Sequence, residues 1–187
     1  MLTFVTAGIC TINADQAGDS AYLAATQMSQ SFTVNAIVPG APTIGTAVAG
    51  DTQASVAFTA PTNTGGTTIT GYTVTVSPPD VAPVNGAASP IVVNGLTNGQ
   101  AYTFTVTADN SAGTSPPSAA SNSVTPAATQ TITFNNPGPQ NFGTSPTLTA
   151  TSDSGLTPTF TSSTLSVCTI TSGGALTFLT AGTCTIN

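Results

Sequence analysis

The side chains of this sequence that could do chemistry are three cysteines, three tyrosines and six acidic residues. Cys10, Cys168 and Cys184 each begin a Cys-Thr-Ile triplet. In a strand, this spacing places the thiol and the isoleucine on the same face. The acidic residues are all aspartates and are dispersed along the chain, at Asp15, Asp19, Asp51, Asp80, Asp109 and Asp153.

The missing residue types exclude several classes of function. The 187 residues contain no Lys, Arg or His, and the net charge is −6. Neutralising phosphate groups requires Lys or Arg, so nucleic-acid binding by that route is excluded. Without His there is no imidazole base or imidazole metal ligand. We therefore expect that the protein is not an enzyme and that it has no cofactor or metal site. The hydrophobic content of 39% predicts a folded chain.

Alternating core and hydroxyl residues predict the elements that position these side chains. The alternation occurs in segments 32–34, 72–77, 102–108 and 131–134. A period of two over such short runs predicts strands with one buried face. No segment has helical periodicity, and 14 Pro and 18 Gly punctuate the chain. The fold class is therefore predicted as all-β, with tandem β-sandwiches.

The two ends of the sequence nearly repeat each other. Residues 2–13 and 176–187 are identical at ten of twelve positions, with a constant offset of 174. A fixed period predicts a tandem array, in which the chain is one period plus an overlap. Residues 1–8 are accordingly predicted to be a strand and not the start of a signal peptide, so export would be encoded elsewhere. No apolar run is long enough to predict membrane insertion.

Residues 39–126 resemble a fibronectin type III domain. The resemblance rests on Pro42, on segments 54–58 and 69–76, and on the run 95–113. It implies a sandwich over residues 37–127, with Leu96 and Tyr102 as a tyrosine corner. Phe58 stands where this family usually has a buried Trp.

The outer segments resemble a bacterial immunoglobulin-like repeat when they are joined end to start. The resemblance rests on segments 166–170, 173–178 and 181–186, with residues 14–36 as the continuation. It implies that residues 128–187 are the N-terminal part of one such domain and residues 1–36 the C-terminal part of another. This family occurs in adhesins and long surface stalks.

The cysteines are interpreted through these extracellular resemblances. In an exported protein, we expect a disulfide between Cys168 and Cys184; two buried free thiols are the alternative. Cys10 occupies the position of Cys184 one period earlier, which predicts an inter-repeat disulfide. If the chain is a separate subunit, Cys10 and Cys184 compete for one partner.

Other groupings of reactive side chains favour ordinary explanations. Asp15, Asp19 and Asp153 could bind calcium, but dispersed carboxylates favour solvated loop residues. Asp80 and Asp109 lack the spacing and the aromatic platform expected of a glycosidase pair. The tyrosines are expected to be core anchors and not a sugar-stacking strip. They are Tyr22, Tyr72 and Tyr102.

These observations predict a non-enzymatic structural repeat unit of an extracellular fibre, stalk or giant adhesin, at the cell surface or beyond it. Its partners would be adjacent copies of itself, arranged head to tail in a covalent array or a homopolymer. The alternative is a carbohydrate-binding or accessory module of a secreted polysaccharide-active enzyme, with surface glycans as partners. Sheet edges are usually protected by Lys or inward charge. This sequence has neither, so its edges are expected to associate or to be covered by neighbours.

Overall fold

The computed structural model describes residues 2–187 as two compact units, the first ending at Ala128 and the second comprising Thr129–Asn187. Every regular element in that range is a β-strand, which confirms the all-β fold class. Among the described residues, no helix is long and apolar enough to cross a membrane.

The first unit contains nine strands in three antiparallel sheets. β1 and β2 form a hairpin, β3-β4-β7 form one sheet, and β6-β5-β8-β9 form another. The strands are β1 (Gly8–Ala14), β2 (Met28–Val34), β3 (Thr43–Ala49), β4 (Gln53–Thr59), β5 (Gly71–Ser77), β6 (Val84–Gly86), β7 (Ile91–Asn94), β8 (Thr103–Asn110) and β9 (Gly113–Thr114).

The three- and four-stranded sheets share one hydrophobic core. Along β8, the side chains of Phe104, Val106 and Ala108 are buried, and the threonines between them are partly exposed. Val74 on β5 and Val56 on β4 are fully buried in the same core. Period-two alternation of this kind builds a sandwich because each sheet has one apolar face.

Serine hydroxyl groups cover the edge of β8 beyond β9. Ser115, Ser118 and Ser121 are spaced three residues apart, and each serine Oγ accepts a hydrogen bond from a β8 N–H, at 2.9, 3.0 and 3.0 Å. Each serine N–H also donates to the carbonyl oxygen of the same β8 residue. Those residues are Ala108, Val106 and Phe104. The period of three is typical of polyproline II backbone, which the Pro-Pro pair between the first two serines favours. The chain itself therefore covers this edge, without neighbours or charge.

The second unit has four short strands in two antiparallel pairs, β10-β11 and β12-β13. Only Leu148, Phe160, Cys168 and Leu176 are buried in its core, and six further apolar side chains pack there while remaining partly exposed. The strands are β10 (Ile132–Phe134), β11 (Ala150–Ser152), β12 (Cys168–Ile170) and β13 (Leu176–Phe178).

The prediction of a strand over residues 1–8 is wrong for residues 2–7, which the structure describes. Residues 2–7 form no strand, β1 begins at Gly8, and Met1 lies outside the described residues. The equivalent residues at the other end form β13, which pairs with β12. Among the described residues, no strand pairs with residues 2–4.

Candidate assembly site

A disulfide joins β12 to the final segment of the chain. Cys168 and Cys184 are bonded, with their Cα atoms 5.7 Å apart, and the Cys168 side chain is fully buried. The partly buried Cys184 packs on the second core. The repeated segment is thereby fixed covalently against the second unit.

Residues 182–187 are hydrogen-bonded along one edge only. The N–H of Asn187 donates to the carbonyl of Thr161 at 2.8 Å, and the reverse bond is 3.0 Å. The carbonyl of Thr185 accepts the N–H of Ser163 at 3.1 Å. Within residues 2–187, the backbone groups of Cys184 and Ile186 make no hydrogen bond. Because successive backbone groups of a strand point to opposite edges, this segment has one paired and one open edge.

A groove of about 710 Å³ lies beside this segment in the second unit. Phe134, Leu148, Leu176 and Phe178 line it together with Cys184 and Ile186. These six side chains belong to the second core or pack against it. The core of the second unit is therefore open on the side that the groove occupies.

The first copy of the repeated segment is paired with a full neighbouring strand. Residues 8–13 of this copy belong to β1, which pairs antiparallel with β2, so that Cys10 faces Phe32 and Ile12 faces Gln30. On the other face, the Thr11 and Ser31 hydroxyl groups are hydrogen-bonded at 2.7 Å. The ring of Phe4 packs edge-on against Phe32, with centroids 5.8 Å apart. The hairpin thus has a hydroxyl face and a largely apolar face.

The two copies differ only where their side chains face solvent. Val5 and Ile9 are 85% and 78% exposed, and their counterparts Leu179 and Thr183 are exposed too. Cys10 forms no disulfide with any described residue and is partly exposed. Its inter-repeat bond stays a prediction.

A glycine turn attaches the hairpin to the sandwich within the first unit. The N–H of Ile37 donates to the carbonyl of Gly65 at 3.0 Å, and the N–H of Ala7 donates to that of Gly66 at 2.9 Å. The buried Asn110 amide donates to the carbonyl of Ile37 at 2.8 Å. At Gly65, φ is +75° and a Cβ would lie 1.9 Å from the Ile37 carbonyl oxygen, so only glycine fits. This contact was not predicted from the sequence, in which the Gly65-Gly66 pair was its only signal.

Tyr102 and Leu96 are both almost fully buried in the sandwich core. The Tyr102 hydroxyl accepts the N–H of Thr97 at 3.1 Å and donates to the Asp80 carboxylate at 2.9 Å. A tyrosine bonded to the chain five residues upstream has the geometry of a tyrosine corner. Tyr72 is also buried. The prediction that Tyr22 is a core anchor is wrong, because its side chain is 76% exposed. Tyr22 lies in the segment 15–27, in which no residue is buried.

The remaining carboxylates bond to local polar groups. Asp19 accepts two backbone N–H groups within its own turn, and Asp15 accepts the side-chain amide of Gln27 at 2.7 Å. Asp109 accepts the hydroxyl of Thr114. No three acidic or cysteine side chains within residues 2–187 are grouped as metal ligands would be.

The pKa of Asp153 is shifted by hydrogen bonds from Thr131. The hydroxyl of Thr131, and then its backbone N–H at 3.0 Å, donate to Asp153 and hold its pKa below the usual range. These bonds favour the ionised carboxylate and attach the start of β10 to the turn after β11.

Three solved structures are similar to parts of this chain. A structure of several titin domains is 20% identical, with a TM-score of 0.47. The matched region covers 65% of this chain and 41% of the titin chain. The rat CD45 extracellular region is 20% identical, with a TM-score of 0.47. The matched region covers 63% of this chain and 64% of the CD45 chain. This chain therefore spans less than two thirds of either structure. A human fibronectin type III domain is 25% identical, with a TM-score of 0.42, and covers 50% of this chain and 91% of its own.

No curated protein matches this chain. The family described as the fibronectin type III domain matches residues 38–124. That range contains both sheets of the sandwich, its single core and the Tyr102 contact. Residues 38–124 of this chain are therefore a fibronectin type III domain.

Proposed function

We propose that the chain is a structural repeat unit of an extracellular fibre, stalk or giant adhesin, with copies arranged head to tail. Fibronectin type III modules are typical of extracellular structural and adhesion proteins, and disulfides are typical of oxidising compartments. Both features support a location outside the cell.

One observation carries this proposal: nearly the same twelve-residue sequence occurs twice and has different neighbours in its two positions. At the end of the chain, the segment pairs with residues 161–163 and carries the disulfide. At the start of the chain, it pairs with β2. In a continuous array, a single copy of the segment would have both sets of neighbours. The join between periods would then lie inside a domain and not in a linker.

The composite domain consists of residues 129–187 of one copy and residues 14–36 of the next, as the resemblance to immunoglobulin-like repeats implies. Fibronectin-type and immunoglobulin-like sandwiches would therefore alternate along the fibre. The role of each period is mechanical spacing. The hydrogen bonds of Asp80 and Asp109 to local hydroxyl groups support structural roles for these carboxylates and not a catalytic one.

Chains of one, two and four periods test this function. Length measured by small-angle scattering and electron microscopy is expected to rise by a constant increment, about 60 to 80 Å per period, given the size of β-sandwiches. Intact mass with and without reductant separates a covalent array from disulfide-linked subunits. Compact particles whose length does not grow with period number would contradict the proposal. Binding to a glycan array would favour the carbohydrate-binding alternative.

A further inference from the structure

Resting on the head-to-tail arrangement proposed above, we propose that the groove of the second unit is the docking site for β2 of the next copy. That strand would pair antiparallel with the open edge of residues 182–187. The partner is a second copy of this chain, and the interaction is completion of a sheet and its core.

The first hairpin provides the template for the register. Cys10 and Ile12 correspond to Cys184 and Ile186, whose backbone groups are unpaired. In the hairpin, these positions lie opposite Phe32 and Gln30 of β2. The docked strand therefore places Phe32 of the next copy opposite Cys184, and Gln30 opposite Ile186. Strand addition at an open edge supplies main-chain hydrogen bonds and positions alternate side chains in a groove.

The side chains that would meet in the groove also follow this template. Phe4 packs against Phe32 in the hairpin, and its counterpart Phe178 lines the groove. The same pairing would bring Phe32 of the next copy against Phe178 and beside the disulfide. Paired residues of adjacent strands project from the same face. Cys184 packs on the second core, so Phe32 opposite it would face that core.

The chemistry of the two surfaces is complementary. Phe32 is 39% exposed and Met28 is 64% exposed in the hairpin, and the groove lining combines apolar side chains with threonine, asparagine and glutamine side chains. Neither β2 nor the groove lining contains a charged side chain, so docking desolvates no charge. Gln30 is the one large polar side chain on the docking face, and it is opposite the partly exposed Ile186.

A chain extended after Asn187 by a second copy of residues 14–36 tests this docking directly. Asn187 corresponds to Asn13, so the extension reproduces the natural order without competition from β1. The protein has no Trp, so Phe32→Trp in the extension is the only indole in the chain. We expect blue-shifted emission and several-fold weaker acrylamide quenching than for Thr33→Trp, which is on the opposite face. Equal quenching of the two variants would overturn the proposal.

Amide exchange measured by NMR supplies an independent readout. The N–H groups of Cys184 and Ile186 are expected to exchange at least tenfold more slowly in the extended chain than in the 187-residue chain. Protection of both amides in a dimer of unextended chains would support the same partner. Protection in an unextended monomer would overturn the proposal. These outcomes are separate from the length increment of multi-period chains, which tests the fibre itself.

Discussion

The disulfide is expected to decide whether the second unit is folded when it has no neighbour. Cys168 and Cys184 are 16 residues apart, and closing a loop of that size stabilises a fold by about 3 kcal/mol. The second unit buries only four side chains in its core. A domain this small rarely has more than about 3–5 kcal/mol of stability. Loss of the disulfide should therefore bring the second unit close to its unfolding midpoint.

The assay uses the chain with Cys10→Ser, which prevents thiol exchange, with and without the additional pair Cys168→Ala and Cys184→Ala. Hydrogen exchange with peptic digestion reports each unit separately; trypsin has no Lys or Arg to cut after. We expect peptides from 129–187 to lose most of their protection in the paired variant. Reduction of the Cys10→Ser chain should have the same effect.

The first unit is the internal control for this experiment. It contains all three tyrosines, and the chain has no Trp, so intrinsic fluorescence reports the first unit alone. Its urea midpoint should be unchanged by loss of the disulfide. Full protection of the second unit without the disulfide would refute the reasoning, because its four-residue core would then suffice.

Three further predictions concern individual hydrogen bonds. Tyr102→Phe removes two bonds of a buried hydroxyl, one of them to a carboxylate, and should lower the unfolding free energy of the first unit by about 1.5–3 kcal/mol in urea titrations. Ser118→Ala leaves a buried β8 N–H unpaired and should cost about 1–3 kcal/mol, whereas the exposed Ser123→Ala control should be nearly neutral; equal costs would contradict the serine-edge explanation. The pKa of Asp153 is lowered in the folded state, so its contribution is present above the unfolded pKa and is lost as the pH falls through the folded value. Below about pH 4, melting temperatures should therefore fall more steeply for the native chain than for Asp153→Asn, and Thr131→Val should reduce that difference.

Sequence patterns predicted most of the sandwich because each pattern lies within a single short segment of the chain. Alternating threonine and apolar residues identified the core of β8, and the resemblance to fibronectin type III domains implied that Leu96 and Tyr102 form a tyrosine corner. Such patterns depend on the period of a strand, which any one segment displays by itself. The serine-covered edge was missed because a period of three that includes Pro-Pro resembles a loop. Its role is visible only when the N–H groups of β8 lie opposite the hydroxyls.

At the ends of the chain, too, the sequence predicted one feature and missed another. The repeat alone indicated that residues 2–13 and 176–187 are equivalent, but it predicted one structure for both. In the fold, residues 2–4 have no partner strand, whereas residues 176–178 form β13. A strand needs a neighbour to satisfy its backbone groups, so identical sequences adopt different structures when their neighbours differ.

The sequence by itself determined that this protein is all-β, nearly free of charge and nearly identical at its two ends, because side-chain chemistry, strand alternation and self-similarity are properties of the chain. Only the tertiary structure decided which edge of the repeated segment is paired, which is open, and where the second core is incomplete. Those features depend on contacts between residues distant in sequence, such as Asn187 with Thr161 and Cys10 with Phe32, and no local pattern encodes them.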